Sequence, residues 1–474
     1  VNPFQFDMAL QRPVFYIMRR GFKVDKKKKL EFGKEAHEEW ARFQVMINDL
    51  RGGNLNVSSP KQVQAYLYGK SELGLPPRRK KGADGKSHIT ADEDALRSIM
   101  ADAEYKTKTY AKQTSIDRWM RVYLSTKVIL KVRGARKALG SYLGCPPECT
   151  CNKPSSIRFD DDGRMRCTLA VGGTETMRFA HSKTAWGTGL NLATIPHKYR
   201  QMYVADDGYV MGEFDLNRGE SWVYAYLSMD PELIRILTNG LDFHAETAAA
   251  IQTAFGESSM TAEGIAKGAK VGDFFSYKLR FLGKKDNHAS AYRMGPFRGA
   301  EVVNQEADDT NITITVAQMK KAQKLWLSKY SGMINWWTDI DATLEECRQL
   351  VTPFGRVRNF YGPMNDATKK EATAYVPQST CVDYLNHGML KVYDELVAPR
   401  HYKLELLHQN HDSIIVQWPE GYDEKKVIGE IKSRLESTVH INGHDITIPV
   451  EASIGKNWGD YHPERNPEGL KEVA

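Results

Sequence analysis

Arg280, Lys284, His288 and Tyr292 occupy every fourth position of the stretch RFLGKKDNHASAY, and a helix is the backbone that sets such a series on one side. Each four-residue step advances about 6 Å and turns about 40°, so the four side chains make a slowly winding stripe roughly 18 Å long. Two cations lie toward one end and two rings toward the other. Such a face serves either solvent or an elongated ligand whose anionic end meets the cations and whose planar end meets the rings. The length suits a nucleoside triphosphate. An isolated R-x3-K is more often a solvated basic face, so the reading depends on what flanks it.

Two acidic motifs do. YVMGEFDLNRGESW is an apolar, strand-like run that ends at Asp215 and passes into a helical pattern. LELLHQNHDSIIVQW reads as two short strands meeting at a polar turn that carries His411 and Asp412. A lone Asp in a turn is usually a turn residue. Two carboxylates at adjacent strand ends, however, are what a pair of divalent ions requires to act on a hydroxyl and a triphosphate together.

This order of strand-Asp, basic and aromatic helix, and His-Asp hairpin resembles the polymerase domain of the family A DNA polymerases, and the likeness runs along nearly the whole chain. FDMALQRPVFYIMRRGFKVD resembles the start of that domain, and LNVSSPKQVQAYLYGKSELGLPP its thumb segment. LNLATIPHKYRQMYVADDGYVMGEFDLNRGES is similar to the stretch leading through motif A, with Asp215 and Glu220 on the motif's Asp and Glu. LDFHAETA, the stripe itself (motif B), TPFGRVR, VPQST, HQNHDS (motif C) and IPVEASIGKNW follow in the family's order. The resemblance implies an α+β fold, a right-hand polymerase with an antiparallel-sheet palm, helical fingers and a helical thumb.

It also implies roles. Asp215 and Asp412 are the expected catalytic, metal-bridging pair, with the Leu216 carbonyl completing the shell of two Mg2+ ions, for which Mn2+ can substitute. Arg280 and Lys284, helped by His244 and Arg200, are expected to hold the triphosphate. Glu220 matches the sugar gate that favours deoxynucleotides, His288 the residue stacked on the sugar, and Tyr292 the ring near the templating base. Arg178, Lys370, Gln378, Gln409 and His411 match positions that touch primer or template, largely through phosphates and the minor groove, where the acceptor pattern is nearly sequence-independent. The expected partners are primer-template DNA and dNTPs, with no membrane, for a cytoplasmic monomer.

Three departures stand out. Motif C continues His411-Asp412-Ser413 where the family has Glu third, motif B ends Tyr292-Arg293 in place of Tyr-Gly, and His288 replaces Phe or Tyr. Such divergence fits a viral or phage-type enzyme, acting in the host cytoplasm. Rival readings are weaker. A single-subunit RNA polymerase lacks an acidic sugar gate, a phosphohydrolase built on His411-Asp412 needs further His ligands, and an inactive DNA-binding factor has no use for both aspartates.

Composition agrees. At 474 residues and 41% apolar the chain has material for several lobes, and its net charge of +7 has the sign of a phosphate-gripping protein. No run reaches the roughly 18 apolar residues of a membrane span, and the start carries no signal-peptide core. Charge and breaker residues divide the chain into an N-terminal helical segment (1–49), thumb (50–150), first part of the palm (151–225), fingers (226–375) and second part of the palm (376–474). PPRRKKGADGKSHIT reads as a basic, poorly periodic linker at the thumb tip. Because the matches begin within the first residues, no 3′→5′ exonuclease activity is expected of this chain, and the missing initiator Met reads as an excised piece. Cys145, Cys149, Cys151 and Cys167 lack the paired C-x2-C spacing of common zinc modules, and whether they bind a metal stays open. Cys347 and Cys381 read as ordinary helix residues.

Overall fold

The computed structural model describes residues 2–473 apart from 83–84, 111, 150–156, 257–258, 306–311 and 313. The chain divides into two compact units, one of Val1–Phe22, Thr168–Ser182 and Ala205–Ala474, the other of Lys23–Cys167 and Lys183–Val204.

The first unit is built on a five-stranded antiparallel sheet. Its strands are β1 (Tyr209–Leu216), β2 (Glu405–Asn410), β3 (Ser413–Pro419), β4 (Val450–Gly455) and β5 (Lys471–Val473), in the order β2-β3-β1-β4-β5. Strand β3 is rich in β-branched and aromatic residues, and Ile414, Ile415, Val416 and Trp418 are all buried. Gly212 of β1 lies against it: a Cβ there would meet the Trp418 ring at 2.8 Å, so the bare backbone is what seats the indole.

Helices fill the long connection between β1 and β2. They include α1 (Gly219–Ser228), α2 (Phe243–Ile251), α3 (Phe274–Ala291), α4 (Pro296–Gln305), α5 (Val316–Lys329), α6 (Gly332–Cys347) and α7 (Asp366–Val392). Asp242 caps α2, its Oδ1 accepting from the amides of His244 and Ala245 at 3.0 Å each, and Asp273 caps α3. Helices α2 and α3 meet closely at Gly283, where a Cβ would lie 2.2 Å from the His244 carbonyl oxygen. That approach brings His244 beside the stripe. Cys347 ends α6 and Cys381 lies buried in α7, as helix residues.

The second unit is mostly helical. Lys26–Arg51, Pro60–Tyr68, Glu93–Thr109 and Gln113–Ala138 bury Ile47, Val63, Leu67, Leu96, Ile99, Val122 and Ile129 in one core. The basic segment expected as a linker instead forms a hairpin, Arg79–Lys81 pairing with Ser87–Ile89, every strand residue exposed. Three-residue strands exposed throughout carry no alternation of apolar and polar positions. The turn signal was in the glycines: Gly82 donates its amide to the Lys86 carbonyl at 2.9 Å, and Gly85 adopts a φ of 72°. Cys151 lies outside the described residues. Cys167 is buried, and burial pushes its thiol up to about 12 against the opposing hydrogen bond of the Leu192 backbone. No helix among the described residues is long and apolar enough to cross a membrane.

Candidate active site

Asp215 lies near the end of β1, directly opposite Ser413 of β3 and Glu451 of β4, so these three residues share one sheet face. Asp412 occupies the two-residue turn between β2 and β3 and is tied to β1, since the Leu216 amide donates to its carbonyl oxygen at 3.1 Å. The two aspartates are thereby fixed at the ends of neighbouring strands. Before Asp412 comes His411, held in the left-handed region at φ 53° and propped by Gln409, whose Nε2 donates to its carbonyl at 2.8 Å. A non-glycine residue at positive φ is a local cost that persists where the surroundings fix it.

The Asp412 side chain reaches solvent at the tip of the turn, yet protein crowds it on most sides. The resulting loss of hydration raises its carboxyl pKa, opposed by its own backbone amide and by His411, Arg178 and Lys284. An all-oxygen set of two carboxylates and the Leu216 carbonyl suits a hard divalent cation, and a cation would replace the hydration Asp412 has lost. Among the described residues no group of three or more His, Cys, Asp or Glu side chains is placed to hold a metal ion. Magnesium bound through one or two carboxylates keeps waters and substrate oxygens in its remaining positions. Ser413, standing where the resemblance expects Glu, donates its hydroxyl to Glu213 Oε1 at 2.8 Å. That carboxylate comes from β1, two residues before Asp215.

The stripe forms as the spacing predicts. Arg280, Lys284 and His288 lie on α3 and Tyr292 is its C-terminal cap, with the His288 and Tyr292 rings edge to face at 5.4 Å. Arg280 Nε donates to Asp242 Oδ2 at 2.7 Å. Burial alone would raise the Asp242 carboxyl; the Arg280 guanidinium and the capped amides outweigh it and hold the pKa below the usual carboxylate value. His244 is pushed down to about 3, by burial first and then by the Arg280 cation, so its imidazole is neutral. Arg293, in place of the expected glycine, takes the left-handed backbone at φ 54° and is held by Asp341 of α6, 2.8 Å from its Nη1, and by the Trp337 ring.

Glu220, in the first turn of α1, receives a hydrogen bond from the Tyr292 hydroxyl and another from Arg178 Nη2 at 3.1 Å. These elements bound a cavity of about 560 Å3, lined by Glu220, His244, Lys284, His288, Tyr292 and Asp412 together with Arg218, Tyr224 and Asn287. Asp215 and Leu216 on β1, Gln409 on β2 and His411 in the turn before Asp412 are not among the lining residues. Lys370 and Gln378 lie on α7, outside the lining residues. Arg200 ends the short helix His197–Arg200 of the second unit. Sequence reasoning missed Arg218, Asp242 and Asn287. Only Asp242 left a signal, as an acidic N-cap immediately before FHAETA.

Residues 26–460 match the family model described as DNA polymerase family A, and the chain belongs to that family. It is 25% identical over 465 residues to a DNA polymerase I of Caldicellulosiruptor bescii, covering 94% of this chain and 46% of that one. Against a thermostable DNA polymerase I of Thermus aquaticus it is 24% identical over 443 residues, 90% of this chain and 44% of that one. The chain thus spans a little under half the length of these relatives. Its fold is similar to the solved POL domain of Pol1 from M. smegmatis, in complex with DNA primer-template and dNTP, with a TM-score of 0.70 at 19% identity over 95% of this chain and 69% of that one. The fold is therefore the mixed α+β polymerase fold.

Proposed function

We propose that the chain is a template-directed DNA polymerase that adds dNTPs to a primer 3′-hydroxyl and releases pyrophosphate. One observation carries the reading: a single cavity joins the Asp412 turn to the Lys284, His288 and Tyr292 stripe and to Glu220. An anionic ligand with a sugar and a base fits that polarity, with its phosphates toward Lys284 and its sugar and base toward His288 and Tyr292.

Asp215, Asp412 and the Leu216 carbonyl would hold two Mg2+ ions. Those ions, when bound, supply Lewis-acid activation of the hydroxyl and neutralise charge on the triphosphate. Lys284 and Arg280 bind the phosphates; Arg280 gives its Nε to Asp242, and its Nη donors serve phosphate oxygens. Their positive charge favours the leaving pyrophosphate. Glu220 closes the space beneath the sugar 2′ carbon, His288 stacks on the sugar, and Tyr292 bounds the base side. Arg178, Lys370, Gln378, Gln409 and His411 contact primer and template through positions common to all base pairs. A Pol1 domain of the same fold in complex with primer-template and dNTP supports this reading.

The test is extension of a primed template by the purified chain with dNTPs and Mg2+, beside reactions with rNTPs, without template and without Mg2+. Template-dependent extension with dNTPs alone is the expected result. No extension, or equal extension without template, would overturn the proposal.

A further inference from the structure

His244 lines the cavity, and one of its ring nitrogens is already committed: Nδ1 lies 3.1 Å from Asn287 Nδ2. The direction of that bond is decided deeper in the protein. Trp326 donates its indole N–H to Asn287 Oδ1 at 2.8 Å, and an indole nitrogen can only donate. The atom it faces is therefore the amide oxygen. Thr247 Oγ1 donates to the same oxygen at 2.7 Å and lies 2.9 Å from the Tyr330 hydroxyl, which becomes the donor of that pair.

With the oxygen so fixed, the other end of the amide is the NH2 group. Its two N–H bonds are directed to His244 Nδ1 and to the Phe243 carbonyl at 3.4 Å. An N–H facing Nδ1 requires a lone pair there, which leaves the imidazole proton on Nε2. Asn287, Trp326 and Thr247 are all buried, and all four hydrogen-bonding sites of the amide are used, so water does not compete for them.

We infer that Asn287 is a positioning residue that holds His244 as the Nε2–H tautomer, so that α2 offers the incoming triphosphate a neutral hydrogen-bond donor of fixed direction beside Arg280 and Lys284. The ligand named here rests on the polymerase reading above; the tautomer does not. The charges around the ring agree. Arg280 and Lys284 from α3 and Arg218 from the approach to α1 oppose protonation and Asp242 favours it, Glu220 and Asp412 line the same cavity, and Lys329 of α5 is paired with Glu246 at 3.0 Å. Burial adds to the cations, and the ring stays neutral across the working range of a polymerase.

The test is a pair of variants read in two ways. Asn287→Asp keeps the shape but replaces the NH2 group with an acceptor, so Nδ1 must carry a proton. Trp326→Phe leaves Asn287 and His244 in place and removes the donor that sets the amide. With the whole chain labelled with 15N in its histidine rings, and His244 assigned by comparison with His244→Gln, wild type should show a bare Nδ1 and a protonated Nε2 from pH 6 to 9. Asn287→Asp should show Nδ1 protonated, and Trp326→Phe a mixture. In primer extension, the KM for dNTP should rise about tenfold in Asn287→Asp at pH 8 and become pH-dependent, with kcat changed less. A protonated Nδ1 in wild type, or an unchanged tautomer in both variants, overturns the inference whatever the activity. An altered tautomer with an unaltered KM profile removes the triphosphate as the donor's target. Failure of wild type to extend a primer refutes the polymerase reading and leaves the tautomer result standing.

Discussion

The Tyr292 hydroxyl donates to Glu220 Oε2, tying the end of α3 to the first turn of α1. Arg178 takes the other carboxylate oxygen, so both are engaged and the side chain is not free to swing aside. Burial, and then the charge of Glu220, raises the Tyr292 phenol well above its ordinary value, which keeps it a donor at any working pH.

From this arrangement, Glu220→Ala should admit ribonucleotides, with selectivity for dNTP over rNTP falling by orders of magnitude. Tyr292→Phe should cost less selectivity, because Arg178 still anchors the carboxylate. Single-nucleotide incorporation with matched dNTP and rNTP measures both ratios, and an unchanged ratio in Glu220→Ala would take the gate role from this residue.

The sequence carried the frame of this site because each part is local. Asp215 ends an apolar strand, Asp412 sits in a hairpin turn, and the stripe is a four-residue period on one helix, all readable from spacing. What it withheld is tertiary. The pairing of Arg280 with Asp242 spans 38 residues, and that of Asn287 with Trp326 spans 39, with no pattern in either segment to announce it. The contact of Ser413 with Glu213 depends on strand register, and it gives a partner to a residue that in sequence looked only like a lost acid. The exposed hairpin at Arg79–Lys81 was hidden for a third reason: its strands, three residues each and exposed throughout, carry no alternation of apolar and polar positions.

Asp215→Asn and Asp412→Asn should each abolish primer extension while leaving affinity for primer-template within a few-fold. Both changes remove carboxylate charge from the strand ends and leave the proposed DNA contacts of Arg178, Lys370 and Gln378 in place. Binding is read by fluorescence anisotropy of a labelled primer-template, and turnover by gel extension. Near-normal turnover in either variant would refute the metal-bridging assignment.

His288 is exposed on the cavity side of α3, edge-on to Tyr292. A Phe there is larger and offers no hydrogen-bonding nitrogen. His288→Phe should change the ratio of dideoxynucleotide to deoxynucleotide incorporation several-fold, because the sugar 3′ position lies against this side chain in the proposed pose. Equal ratios in wild type and variant would place His288 away from the sugar and put the register of Arg280 and Lys284 in question as well.

Asp286 lies on the same helix, facing inward. It is 1% exposed, Ser290 Oγ donates to its Oδ1 at 3.1 Å, and its Oδ2 has no hydrogen-bond partner among the described residues. Burial pushes its carboxyl up to about 7 against the pull of the Ser290 hydroxyl. A pKa raised on folding means that the folded chain binds this proton more tightly than the unfolded chain. The associated stability is full below the ordinary carboxylate value and is lost as pH rises to about 7. Over that window wild type should lose up to about 1.4 kcal/mol per pH unit relative to Asp286→Asn, which has no charge to bury. Urea midpoints should therefore nearly coincide at pH 4 and diverge in favour of the variant by pH 8, levelling off beyond. Parallel midpoints across that range, or a wild type that gains on the variant as pH rises, would show that Asp286 is ionised in the folded protein and has a partner for its charge.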